Sequence, residues 1–145
     1  MAISVLLVDD EVGFVESLAK RLKIRQFDVY QAFDAETAGR ILADNPKIDV
    51  VVLDVKMPGT DGLTAIKSIK RRHPLVEVIL LSGHANLETS VGGMALGAFD
   101  YLLKPVRLDE LVYKVEDAYR RKALQEEKIR ALRGVTTVDS GEQET

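Results

Sequence analysis

The feature that most constrains this chain is an alternation repeated five times: a short run of β-branched and apolar residues, then a longer stretch in which apolar residues return at helical spacing. The short runs cover residues 3–8, 29–32, 48–53, 76–81 and 99–103 and are read as strands. Three of them (3–8, 48–53 and 76–81) are almost continuously apolar, as central parallel strands covered on both faces must be. Between the strands, Val12, Val15, Leu18, Ala19 and Leu22 mark a first amphipathic helix, and Ala35, Ala38, Ile41 and Leu42 a second. Leu63, Ile66 and Ile69 mark a third, Val91, Met94 and Ala95 a fourth, and Leu111, Val112, Val115 and Tyr119 a fifth that begins near Leu108. Asp34 and Asp61 stand at helix-cap positions, and Pro74 and Gly97 where helices should have stopped. Five strand–helix units imply an α/β fold with a parallel sheet and right-handed crossovers. Such sheets bind ligands beyond the carboxyl ends of their strands, where the strand order reverses. Functional residues are therefore expected directly after strands.

A chain of 145 residues is enough for one domain and a short extra segment. Its net charge of −3 speaks against general nucleic-acid affinity, which needs clustered positive charge. The absence of cysteine removes disulfides, thiolate metal sites and cysteine nucleophiles, and fits a reducing compartment. Residues 3–8 form too short an apolar run for a signal peptide, and no stretch approaches a membrane span. The chain is expected to be cytoplasmic, with no membrane contact. The last helix is expected to outrun the domain: residues 1–120 form the domain, 121–133 extend the helix, and 134–145 form a polar, acidic, disordered tail. The run Arg120-Arg121-Lys122, with Glu116, Asp117, Glu126 and Glu127 around it, reads as a solvated helix face.

The strand ends carry the chemistry. The first strand runs into Asp9-Asp10-Glu11, the third into Asp54, the fourth into Ser82-Gly83-His84, and the fifth into Lys104-Pro105. Three carboxylates about 5 Å apart repel by roughly 3 kcal/mol per pair at an effective dielectric near 20, so a cation is called for. A hard divalent ion such as magnesium suits one or two carboxylates, waters and a phosphate oxygen. Asp54 is then best read as a nucleophile that forms an aspartyl phosphate. Lys104 would neutralise the charge that grows on the phosphoryl oxygens, and the Ser82 hydroxyl could donate to one of them. Each residue taken singly has a plainer reading: Asp9 or Asp10 as a helix cap, Asp54 as a mere metal ligand, Ser82 as a turn residue, Lys104 as a surface charge.

The segments Leu6-Leu7-Val8-Asp9-Asp10-Glu11, Leu53-Asp54-Val55-Lys56-Met57-Pro58-Gly59-Thr60-Asp61-Gly62, Leu81-Ser82-Gly83-His84 and Gly97-Ala98-Phe99-Asp100-Tyr101-Leu102-Leu103-Lys104-Pro105 closely resemble bacterial response-regulator receiver domains of the CheY-like kind. The resemblance covers roughly residues 2–120. Any one segment is weakly specific, and all four in order are strongly so. It implies a doubly wound, flavodoxin-like three-layer sandwich with strand order 2-1-3-4-5. It implies that Asp54 is the phosphoacceptor and that Asp9, Asp10 and Asp54 bind Mg2+ with the backbone carbonyl of Lys56. By the same resemblance Ser82 is the switch hydroxyl, Lys104 the lysine that pairs with the phosphoryl group, and Tyr101 the aromatic whose ring moves on activation. Pro105 matches a proline that usually follows a cis peptide, and the side chains of Lys56 and His84 flank the site.

Read this way, the protein is a signalling switch and not an enzyme proper. A sensor histidine kinase would supply the phosphoryl group. The face made by the fourth helix, fifth strand and fifth helix would then bind an output partner or a second copy. The Ser82-Gly83-His84-Ala85 turn and the long last helix look like receivers that precede transcription-activating output domains. Two rivals stay open: a docking module that uses the fold without the chemistry, and a phosphatase or phosphotransferase with an aspartate nucleophile. No glycine-rich phosphate loop follows the first strand, which speaks against nucleotide binding.

Overall fold

The computed structural model describes residues 2–57, 60–83 and 87–144, with the side chains of all of these except 57, 60 and 135–144. Five strands form one sheet: β1 Ser4–Val8, β2 Asp28–Ala32, β3 Val50–Asp54, β4 Glu77–Ser82 and β5 Asp100–Leu103. Their order is β2-β1-β3-β4-β5 and every neighbouring pair is parallel. This is the doubly wound, flavodoxin-like arrangement, with the reversal of strand order between β1 and β3. Every residue of β1, β3 and β4 is buried, as their apolar runs require.

Five helices cover the sheet: α1 Val12–Ile24, α2 Ala35–Asp44, α3 Gly62–Arg72, α4 Leu87–Ala95 and α5 Leu108–Glu144. Alternate residues of the strands point to opposite faces. Leu6, Val8, Val51, Leu53, Val78 and Leu80 pack with Ala38 and Leu42 of α2 and Ala65, Ile66 and Ile69 of α3. Val5, Leu7, Val50, Val52, Ile79 and Leu81 pack on the other face with Val15, Leu18 and Leu22 of α1 and Leu111, Val112 and Val115 of α5. The two aspartate caps are in place: Asp34 accepts the Thr37 amide at 2.7 Å, and Asp61 accepts that of Leu63 at 3.1 Å. Gly97 follows α4 with φ +104°, a value that favours glycine.

Three features differ from expectation. A short antiparallel ribbon, Lys56–Met57 with Thr60–Asp61, follows β3. At two residues a strand, it is too short to show a periodicity in the sequence. The last helix continues to Glu144, past Gly134, where the sequence led us to expect irregular chain. One interior glycine costs a helix only about 1 kcal/mol relative to alanine, too little to end it alone. The basic run in the middle of α5 is not uniformly a solvated face. Arg120 is exposed and pairs with Asp117, but Lys122 is 7% exposed and bonds Asp49, because at that level α5 still lies against the sheet. Among the described residues no helix is long and apolar enough to cross a membrane.

Candidate phosphoryl and metal site

The carboxyl edge of the sheet gathers the residues that the sequence singled out. Asp9 follows β1, and its amide extends the ladder to the carbonyl of Ala32 at 3.2 Å. Its side chain is buried, accepts the Glu11 amide at 3.0 Å and meets Lys104 Nζ at 2.6 Å. The bond to Glu11 is a local turn, not a helix cap: Glu11 occupies the N-cap of α1 and its side chain caps nothing. Asp10 is exposed beside it. Asp54 is the last residue of β3 and is buried, opposite Leu81 in register. The Lys56 amide faces its Oδ1 at 3.5 Å. One carboxylate oxygen from each of Asp9, Asp10 and Asp54 lies within 4.8 Å of the others.

Ser82 ends β4, buried, and its carbonyl accepts the Lys104 amide at 2.7 Å, which sets the lysine beside it. Lys104 follows β5, and its ammonium also meets Glu11 Oε1 at 3.1 Å and lies 4.5 Å from the centre of the Phe14 ring. An open cleft of about 280 Å³ is lined by Asp10, Glu11, Asp54, Lys56, Ser82, Gly83 and Lys104. A larger cleft, about 680 Å³, lies at the opposite edge of the sheet and contains none of these residues. The chemistry, not the volume, marks the site.

Electrostatics agree with the crowding. Burial raises the Asp54 carboxyl to about 6, helped by the charge of Asp9 and opposed by Lys104 and by the Lys56 amide. For Lys104, burial works against the charge, but the hydrogen bonds it donates to Asp9 and Glu11 outweigh it and the ammonium is held more firmly protonated than usual. Three clustered oxygen donors with an unfavourable excess of negative charge suit a hard divalent cation.

The loop after Asp54 is held by its own backbone. The Gly62 amide donates to the Val55 carbonyl at 2.9 Å, and a Cβ at Gly62 would lie 2.5 Å from that oxygen. Only glycine lets α3 begin so close to the strand that carries Asp54.

The remaining sequence candidates sort by position. Tyr101 is half-buried on β5, in register with Leu80, and packs against the α3 side of the core; it does not line the cleft. The Lys104–Pro105 peptide is cis, as the resemblance implied. Lys56 presents its exposed side chain to the cleft. His84 lies outside the described residues. Sequence reasoning missed the contacts of Glu11 and Phe14 with Lys104. The adjacency of Glu11 to Asp9-Asp10 was the one available signal.

The comparisons with known proteins bear on this geometry. The family model described as response regulator receiver domain matches residues 5–116. The chain belongs to that family. It is therefore a phospho-accepting receiver domain, and its carboxylate cluster is able to hold a divalent metal. It is 39% identical over 129 residues to an NtrX-like response regulator of Rickettsia bellii, covering 88% of this chain and 27% of that one. A receiver domain from Clostridium thermocellum superposes with a TM-score of 0.81 at 35% identity, covering 85% of this chain and 98% of that one. The beryllofluoride-activated NtrC4 receiver domain dimer superposes with a TM-score of 0.77 at 30% identity, covering 82% and 98%. The chain thus spans about a quarter of the length of the curated relatives it matches.

Proposed function

We propose that this receiver takes a phosphoryl group from the histidine of a sensor kinase onto Asp54, with Mg2+ bound by the Asp9, Asp10 and Asp54 carboxylates and the Lys56 carbonyl. The observation that carries the reading is the meeting of Asp9, Asp10, Asp54 and Lys104 from three strand ends, the last three of them lining one cleft. An Asp54 oxygen attacks phosphorus. A P–O bond forms as the P–N bond to the kinase breaks, and the imidazole leaves neutral because its other ring nitrogen carries the proton. The cation, when bound, offsets the charge of the carboxylates and the phosphoryl oxygens. Lys104, already hydrogen-bonded beside the cleft, turns from Asp9 and Glu11 toward the phosphoryl group, and the Ser82 hydroxyl donates to it. Tyr101 follows as the switch aromatic, while Lys56 and Pro105 shape the rim of the site.

The output surface is the face of α4, β5 and α5. It already exposes Leu87, Val91, Met94, Leu103 and Tyr113, an apolar group that a partner or a second copy would cover. The similarity to a receiver dimer supports the second copy. Residues 1–120 act as the receiver unit, 121–133 as an extension of α5 toward an output domain, and 134–145 as a tail. Acceptor mapping tests the assignment: borohydride reduction of the phosphorylated protein should convert position 54 alone to homoserine. Modification at another position, or at none while phosphate is bound, contradicts it.

A further inference from the structure

The edge of the sheet opposite the phosphoryl site carries an arrangement that the switch chemistry does not use. Asp49, just before β3, and Glu77, the first residue of β4, are both buried. They receive two consecutive residues of α5. Lys122, itself buried, donates to Asp49 Oδ1 at 3.0 Å, and Asp49 Oδ2 accepts the Ser4 amide at 2.9 Å, which ties the pair to β1 as well. Arg121 grips Glu77 with two nitrogens, Nε to Oε2 and Nη2 to Oε1, the second at 2.9 Å. Its guanidinium carbon lies 4.6 Å from the centre of the Phe99 ring. Lys70 meets Glu77 from α3 at 3.4 Å, and Lys122 also reaches Glu126 one turn on at 3.1 Å.

These pairs stand where apolar packing gives out. Among the described side chains, the buried apolar positions of α5 end at Ala118, and Leu124 and Leu132 beyond are exposed. Open clefts of about 680 and 300 Å³, both lined by Lys122, flank the helix at this level. Buried ion pairs add little net stability compared with apolar replacements, but they demand one geometry. Two charges in series on α5, each on a different strand start, constrain both the rotation of the helix and its angle to the sheet.

We propose that Arg121 and Lys122, with Glu77 and Asp49, form a clasp that holds the extension of α5 at one fixed angle to the sheet. A partner joined to or docked on the extension then turns with the receiver as one body. The inference does not depend on phosphorylation of Asp54. The chain has no cysteine, so spin labels can be placed uniquely at Lys20→Cys on α1 and Lys128→Cys on the extension. The parent should give a single narrow distance distribution. Arg121→Gln with Lys122→Gln should broaden it at least twofold. Asp49→Asn with Lys122→Met, which removes both charges of one pair and leaves the Asn oxygen to accept the Ser4 amide, should broaden it too and is the deciding variant if the first fails to fold. A broad distribution in the parent, or one as narrow in the folded neutral variant as in the parent, overturns the clasp. Phosphoryl adduct formation unchanged in that variant would place the effect at this edge alone.

Discussion

The ammonium of Lys104 sits 2.6 Å from Oδ2 of Asp9, so the lysine and an incoming divalent cation compete for the same carboxylate. Removing the lysine frees Asp9 and leaves the cluster more negative. Lys104→Met is expected to bind Mg2+ about tenfold more tightly, equivalent to ~1.4 kcal/mol. Titration calorimetry measures this directly, and equal or weaker affinity would contradict the competition.

Asp54 makes the stability of the metal-free protein depend on pH. Its folded value of about 6 stands above the ordinary 3.8. The folded state therefore binds more protons than the unfolded chain between these values, and the stability this contributes is present below about pH 4 and lost as pH rises through about 6. Asp54→Asn carries no such loss. Thermal unfolding without metal should show the variant a few degrees more stable than the parent at about pH 7.5 and little different at about pH 4. Mg2+ should stabilise the parent more than the variant. A variant less stable at neutral pH would mean that the carboxylate is not crowded as described.

Much of this site was legible because its residues end strands whose apolar runs are unmistakable. Val50, Val51, Val52 and Leu53 could only lie inside a sheet covered on both faces, so Asp54 had to emerge at an edge. The same logic placed Asp9, Ser82 and Lys104. What was hidden depends on distant parts of the chain meeting. Lys122 continues the helical stripe of Leu111, Val115 and Ala118 and Arg120 does not, but spacing alone does not name Asp49 as the partner that buries it, while Arg120 is paired on the surface. Glu11 and Phe14 precede Lys104 by most of the chain, and only the β1–β3–β4–β5 geometry brings them to its ammonium. The ribbon after β3 pairs only two residues on each side, too few to leave a pattern in the sequence.

Gly62 links the loop beneath Asp54 to the start of α3. A Cβ there would lie 2.5 and 2.6 Å from the carbonyl oxygen and Cα of Val55, both backbone atoms that cannot swing aside. Gly62→Ala is expected to cost about 1–3 kcal/mol of stability, the scale of overpacking, and to slow phosphorylation by displacing the Asp54–Lys56 segment. Urea denaturation and the rate of adduct formation check the two effects. A variant unchanged in both would show that the close approach is dispensable.

The central claim is that Asp54 accepts phosphate with a divalent ion at the carboxylate cluster. The most direct measurement is the intact mass of the protein after incubation with Mg2+ and acetyl phosphate, beside Asp54→Asn and a sample with chelator. One phosphoryl adduct is expected on the parent and none in either control. No adduct on the folded parent, or an adduct that persists in Asp54→Asn, would contradict it.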